Sequence, residues 1–393
     1  MPVIDIHMRR DLFLIILLLL PLSVFGQWER FGGVYFAYPE AKHSQTKAPA
    51  GYEPFYISHF ARHGSRWLPD DNRYIRICQQ FDDTLNLTPL GKDVRRRLQL
   101  IYLDAKGRGG DLTAIGAGQH RRMAERMIAR WPEVFGDSTQ VSARSSVVGR
   151  CVMSMNAFLI RLAQLRPSVK ITAESNRRYM DYIAYTSDEE KALEDRTHNR
   201  WTMNPSRLML TLFKDTSRIA NPFDLASELH TIASDMQNVG IGVSLYDLFT
   251  EEEMRQIYHM NNERMELCNG INPKNDGIPQ RCALSLWNNI VASADSAIAK
   301  GSPSATLRFG HDTSLYRLLS LLGLYANEKR MDVIIPMGAN LQMVFYRSKQ
   351  GGSILVKFLH NEQEVLLPLP STLAPYYEWN EVKRYYDRKI SGL

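Results

Sequence analysis

The chain has 393 residues, of which 44% are hydrophobic and 23% charged; this excludes a disordered chain and is enough for one large core or two domains. Its net charge of +6 comes from scattered lysines and arginines, with no long basic run and no recognisable nucleic-acid module. Nucleic-acid binding is therefore not expected, and a small polyanion fits better.

Residues 1–26 read as a secretory signal peptide. Met8-Arg9-Arg10 is basic, Leu12 to Leu20 is apolar, and Ser23 and Gly26 are small residues ahead of Gln27. The apolar run meets Pro21 and is short of the roughly 20 residues a spanning helix needs, so no stable membrane span is expected after cleavage. Export to the periplasm or medium would carry Cys78, Cys151, Cys268 and Cys282 into an oxidising compartment. Four cysteines allow three pairings; Cys268 with Cys282 is the one the loop between them suggests, or all stay free. Cys151 is expected to be a buried, inert thiol.

Tyr38 to Gly51 reads as a loop leading to Phe55-Tyr56-Ile57-Ser58-His59-Phe60, a β-prone, largely apolar run that ends in Arg62-His63-Gly64-Ser65-Arg66. Gly64, without a Cβ, lets a ligand approach the backbone closely. Two permanently charged, forked guanidiniums around an imidazole match a phosphate group, and the neighbouring positive charge favours a neutral His63 able to attack phosphorus. His59 and His63 have a spacing seen in zinc helices, but on a strand they stand roughly 13 Å apart, so no metal site is expected.

Two similar phrases follow, Leu87-Thr88-Pro89-Leu90-Gly91 and Leu112-Thr113-Ala114-Ile115-Gly116, each with a threonine placed to cap a helix. Gln119, His120 and Arg121 come next, within reach of the site in principle. Val141 to Ser154 is expected to be a short strand passing through small residues into a helix, whose amino terminus would favour anions. Arg150 stands near that start, with Arg144 as a rival. From Glu174 to Lys300, Glu189 to Glu194, Pro205 to Lys214, Leu225 to Met236, Glu251 to Asn262 and Leu284 to Ala299 read as helices. His198, His230 and His259, without Cys or carboxylate partners at ligand spacing, are expected to be surface or core residues. Ala305 to Phe309 reads as a strand, Ser314 to Leu324 as a helix, and Val333 to Ile335 and Leu341 to Arg347 as strands. Ile354 to Leu359 and Glu364 to Leu369 suggest a hairpin, and Trp379 to Ile390 a terminal amphipathic helix.

Arg62-His63-Gly64 resembles the hallmark of the histidine phosphatase superfamily, and the fuller Arg-His-Gly-x-Arg form points to its acid phosphatase and phytase branch. That branch completes its site with a distant His-Asp pair, and this chain carries Phe309-Gly310-His311-Asp312-Thr313. Arg150, four residues before Ser154, is similar to the family's additional phosphate-binding arginine. The resemblance implies an α/β fold with a central mixed sheet flanked by helices, built from residues 27–173 and 301–393, and an all-helical insertion, 174–300, overhanging the pocket.

The resemblance also implies roles. His63 would attack phosphorus to give a phosphohistidine; Arg62, Arg66 and Arg150 would hold the phosphoryl oxygens, with a hydrogen bond from His311. Asp312 would protonate the leaving alcohol, and water would then release phosphate. No cofactor is implied, since the arginines supply the positive charge.

The site motifs together with Pro336-Met337-Gly338-Ala339-Asn340-Leu341-Gln342 are most similar to the multiple inositol polyphosphate phosphatases. Those enzymes commonly carry His-Ala-Glu at the second motif, whereas this chain carries His311-Asp312-Thr313, as acid phosphatases and phytases do. The expected activity is thus an exported phosphomonoesterase, with the substrate open between a general phosphate ester and an inositol polyphosphate. Two alternatives are an exported anion binder without turnover, which Asp312 argues against, and a phosphoglycerate mutase-like phosphotransferase, which the signal peptide and the helical insertion disfavour.

Overall fold

The computed structural model describes residues 28–40, 44–137, 139–197, 203–325 and 335–393. The expected signal peptide, His198 and most of the strand expected at Val333 to Ile335 lie outside these residues. Ile335 itself is not in a strand.

Among the described residues, eight strands form one sheet: β1 (Tyr52–Arg62), β2 (Gln140–Ser145), β3 (Lys170–Ser175), β4 (Ser304–Gly310), β5 (Asn340–Ser348), β6 (Ile354–His360), β7 (Gln363–Val365) and β8 (Tyr376–Glu378). Their order is β3-β2-β4-β1-β5-β6-β7, with β8 also paired to β6. β1 to β4 run parallel to one another and β5 to β8 are added antiparallel, so the sheet is mixed. The longer helices are α1 (Asp71–Gln79), α2 (Pro89–Ala105), α3 (Ala114–Arg130), α4 (Gly149–Leu165), α5 (Asp188–Thr197), α6 (Ser206–Leu212), α7 (Pro222–Val239), α8 (Glu251–Asn269), α9 (Leu284–Lys300), α10 (Asp312–Leu322) and α11 (Trp379–Ile390).

β1 reads as a nearly continuous apolar run because both of its faces are covered. Phe60 packs on one side with Trp287 of α9, Leu318 of α10 and Trp379 of α11. Ile57 and Ala61 pack on the other with Met123 of α3 and Phe158 of α4. Helices on both faces of a mixed sheet are the architecture the resemblance implied.

A second, helical body is built from α1, α2, α6, α7 and α8 around Tyr74, Val94, Leu212, Leu229 and Ile257. It is not the 174–300 segment alone: α1 and α2 come from earlier in the chain, while α9 packs against the sheet. The two Leu-Thr-x-x-Gly phrases join the parts. Thr88 accepts from Gly91 N and donates to Thr211 O at the end of α6; Thr113 accepts from Gly116 N and donates to Asn238 O at the end of α7. The glycine admits a crossing backbone in each case, since a Cβ on Gly91 would overlap the Leu212 carbonyl and one on Gly116 the Ser65 carbonyl. Each phrase is a helix cap and also a docking point for a helix end.

Candidate active site

Three parallel strands deliver the site. Arg62 of β1 pairs with Gly310 of β4, and Ser145 of β2 with Phe309 of β4, so His63, Ser146 and His311 are the first residues beyond adjacent strand ends. This is the edge at which open α/β sheets hold ligands. His63 N donates to Gly310 O at 3.0 Å, and Gly338 N donates to His63 O at 2.8 Å. Gly64 N donates to Ser154 Oγ of α4 at 3.0 Å, which ties the motif to the helix bearing Arg150. The His63 and His311 rings meet edge to face, centroids 5.7 Å apart.

The hydrogen bond at His63 fixes its tautomer. Nδ1 lies 2.9 Å from Gly64 O, and a carbonyl only accepts, so Nδ1 carries the proton and Nε2 keeps its lone pair. Burial, then the charges of Arg62, Arg150 and Arg66, hold the His63 pKa well below the ordinary imidazole value. The ring is neutral, as its sequence context suggested. His311 is lowered to about 4, by burial first and Arg150 next; its Nε2 lies 3.2 Å from Ser146 Oγ and 3.7 Å from Cys151 Sγ.

The arginines are held in different ways. Arg62 is fully buried; Nη1 donates to Val34 O at 2.6 Å and Ile335 O at 2.7 Å, and Nη2 lies 2.9 Å from Asp312 Oδ2. Arg66 donates to Trp67 O at 3.1 Å, with its guanidinium 5.2 Å from the centroid of the Tyr35 ring. Arg150, in the first turn of α4, has no hydrogen-bond partner at its buried Nε. Arg144 is engaged elsewhere: it donates to Tyr182 Oη at 3.3 Å, lies 3.8 Å from Glu174 and covers the Tyr179 ring. Of the two rivals, Arg150 is the one that acts on His63 and His311.

At Asp312, desolvation pushes the pKa up, but the Arg62 guanidinium, with His311 and Arg66, more than offsets it and holds the carboxyl below its ordinary value. Asp312 Oδ1 also accepts from Thr313 N at 3.0 Å. A tetrahedral anion bound beside the two rings would therefore meet a lone pair on one side and a carboxyl on the other, among Arg62, Arg66 and Arg150.

Several neighbours had no such assignment from the sequence. Ser146 faces His311, and the Ser145-Ser146 pair at a strand end was its only signal. Tyr35, far from either motif in sequence, gave none. Gln119 supports the motif from below, its Oε1 accepting from Ser65 N at 2.9 Å and its Nε2 donating to Ser65 Oγ at 2.8 Å. His120 is buried against Phe309, and Arg121 is exposed. His230 is buried against Phe249 and His259 is exposed, as surface or core histidines would be. All four cysteines are thiols; the suggested Cys268–Cys282 disulfide is not formed, and Cys282 Sγ instead contacts Ser187 Oγ at 3.4 Å. Burial raises Cys151 to about 11, as expected of an inert thiol. Among the described residues no helix is long and apolar enough to cross a membrane.

Residues 237–361, which include His311 and Asp312, match the model of the histidine phosphatase superfamily (branch 2). The chain is 23% identical to multiple inositol polyphosphate phosphatase 1 of Gallus gallus over 87% of this chain and 83% of that one. Among solved structures it resembles the Bifidobacterium longum multiple inositol polyphosphate phosphatase in complex with inositol hexasulfate, with a TM-score of 0.76 and 19% identity over 90% of this chain and 97% of that one. It also resembles the phytase from D. castellii, with a TM-score of 0.69 and 16% identity over 93% and 86%. Fold and family model agree in direction: the chain has the fold of these solved structures, and its residues 237–361 match the branch 2 model of the histidine phosphatase superfamily.

Proposed function

We propose that the protein is an exported phosphomonoesterase that hydrolyses phosphate esters through a phosphohistidine at His63, with inositol polyphosphates as the favoured substrate class. The observation that carries this reading is the fixed tautomer of His63, whose Nε2 lone pair is left available beside His311 and within the field of three arginines. In the proposed cycle Nε2 attacks phosphorus as the P–O bond to the alcohol breaks. Arg62, Arg66 and Arg150 hold the phosphoryl oxygens with His311, and Asp312 gives its proton to the departing oxygen. Water then attacks the phosphohistidine, its proton returning to Asp312, and phosphate leaves.

The inositol polyphosphate preference is supported by the similarity to the Gallus gallus and Bifidobacterium longum enzymes, the latter solved with inositol hexasulfate. The His311-Asp312 pair is the one carried by acid phosphatases and phytases, so a simple ester is expected to be hydrolysed as well. Export is supported by the signal-like composition of residues 1–26. Purified protein should release phosphate from para-nitrophenyl phosphate and from phytate in EDTA at acidic pH. Failure to release phosphate from any ester would leave only an anion-binding role.

A further inference from the structure

Beneath the Arg62–Arg66 loop lies a carboxyl that the proposed cycle does not use. Asp235, in the last turns of α7, is fully buried; its Oδ1 accepts from Asn238 Nδ2 at 3.2 Å, and its Oδ2 has no hydrogen-bond partner. Asn238 connects it to the site: its Oδ1 accepts from Ser65 Oγ at 2.6 Å, and its Nδ2 also donates to Tyr35 O at 2.7 Å, whose ring lies under Arg66.

Charged and titratable groups from several elements face Asp235. Arg66 is the strongest charge acting on it, followed by Arg73 of α1 and Arg62 of β1. Tyr74 of α1, and Tyr246 beyond α7, are the phenols that feel its charge. The competing partners are occupied. Arg73 is clasped by Glu228 at 3.0 and 2.8 Å, and Tyr74 Oη accepts from Leu68 N at 3.0 Å. Arg66, proposed to hold phosphate, is thus the foremost positive charge acting on an incompletely bonded carboxyl.

We infer that Asp235 is a positioning residue for Arg66: when charged, it weakens the hold of the pocket on anions, and when neutral, it leaves the full charge of Arg66 to the anion. This deepens the phosphatase reading and rests on it. Burial, only partly offset by Arg66, Asn238 and the other arginines, raises the Asp235 pKa to about 7. In the free protein the groups lining the pocket sit outside that range: His63 and Asp312 are lowered, His311 is near 4 and Cys151 near 11. Anion affinity should thus fall as pH rises through about 7, with Asp235 as the cause.

The probe is inorganic sulfate, whose charge does not change over the range, as a competitive inhibitor of para-nitrophenyl phosphate hydrolysis from roughly pH 5 to 9. In the wild-type protein the sulfate inhibition constant should rise about tenfold across an inflection near neutrality, the expected scale for one nearby buried charge. In Asp235→Asn the inflection near neutrality should be lost. The kcat should show no inflection at that pH in either protein.

Stability gives a second readout. Because its folded pKa is raised, Asp235 contributes stability that is full below its unfolded value and lost as pH rises through about 7, so the melting temperatures of wild type and Asp235→Asn should diverge over that interval. A flat wild-type sulfate profile overturns the inference even if the variant does not fold, and so does an unchanged inflection in Asp235→Asn. Ester hydrolysis with sulfate inhibition but no inflection removes only the role of Asp235; absence of hydrolysis at every pH removes the phosphatase reading itself.

Discussion

Arg62 Nη2 lies 2.9 Å from Asp312 Oδ2, so the Arg62-His63-Gly64 motif at the end of β1 and the carboxyl at the start of α10 are joined by an ion pair across the sheet edge. One guanidinium thereby faces both the proposed phosphate position and the proposed acid. It also holds Asp312 ionised in the free protein. Bound phosphoryl oxygens would compete for Arg62 and so let the carboxyl take up a proton. This coupling suits an acid that is armed by substrate.

Removal of that acid should be felt according to the leaving group. Asp312→Asn is expected to reduce turnover of an alkyl phosphate by about 10²–10⁴-fold and that of para-nitrophenyl phosphate by much less, because nitrophenolate departs without a proton. Steady-state kcat on the two esters tests this; equal losses on both would place the role of Asp312 in hydrolysis of the phosphohistidine rather than in departure of the alcohol.

Activity should decline toward alkaline pH. Arg62, with His311 and Arg66, lowers the Asp312 pKa against the opposing effect of burial, so the protonated form needed to donate is favoured by acid and by bound phosphate. The kcat profile on an alkyl phosphate should fall on its alkaline side, and Asp312→Asn should lose that limb.

Fold stability should run the other way at low pH. His59, His120 and His360 are fully buried and lowered to about 3, and His230 to about 4, in each case by burial first. Each contributes stability above its unfolded value of about 6.5 that is lost as pH falls toward the folded value. Melting temperature should therefore drop as pH is lowered below about 6.5. His59→Leu, which removes a ring with no hydrogen-bond partner at either nitrogen, should reduce the steepness of that drop.

Arg150 and Arg144 give a paired test. Arg150→Ala is expected to cost about 10²-fold or more in kcat/KM, the scale for losing one positioned donor, whereas Arg144→Ala, already engaged by Tyr182 and Glu174, should change it only slightly. Equal effects would return the choice to where the sequence left it. At the scaffold, Gly116→Ala should cost about 1–3 kcal/mol or more, because its Cβ would press on the Ser65 carbonyl; urea unfolding measures this.

The legibility of the molecule in its sequence follows the range of the interactions. β1 was readable because both of its faces are covered and its residues are apolar almost throughout, and Thr88 and Thr113 were readable because capping is local. α1 was missed because little of it is apolar: Tyr74 and Ile77 are its buried residues. β3 was missed because it is a largely exposed edge strand, and β8 because it has only three residues. The hairpin after β6 was placed correctly, but its second strand stops at Val365 rather than Leu369, its chain turning through Asn361 and Glu362 at positive φ. At the site, the two motifs announced themselves through residue types alone. Ser146, Tyr35 and Asp235 reach it only through folding, and no local pattern marks them.

The most direct test is to quench the protein during turnover of a ³²P-labelled ester and to locate the label. The expected result is an acid-labile, base-stable phosphoryl group on the imidazole of His63, absent from His63→Ala, which should hydrolyse no ester above background. Label on a carboxylate, or hydrolysis by His63→Ala at the parental rate, would contradict the proposed chemistry.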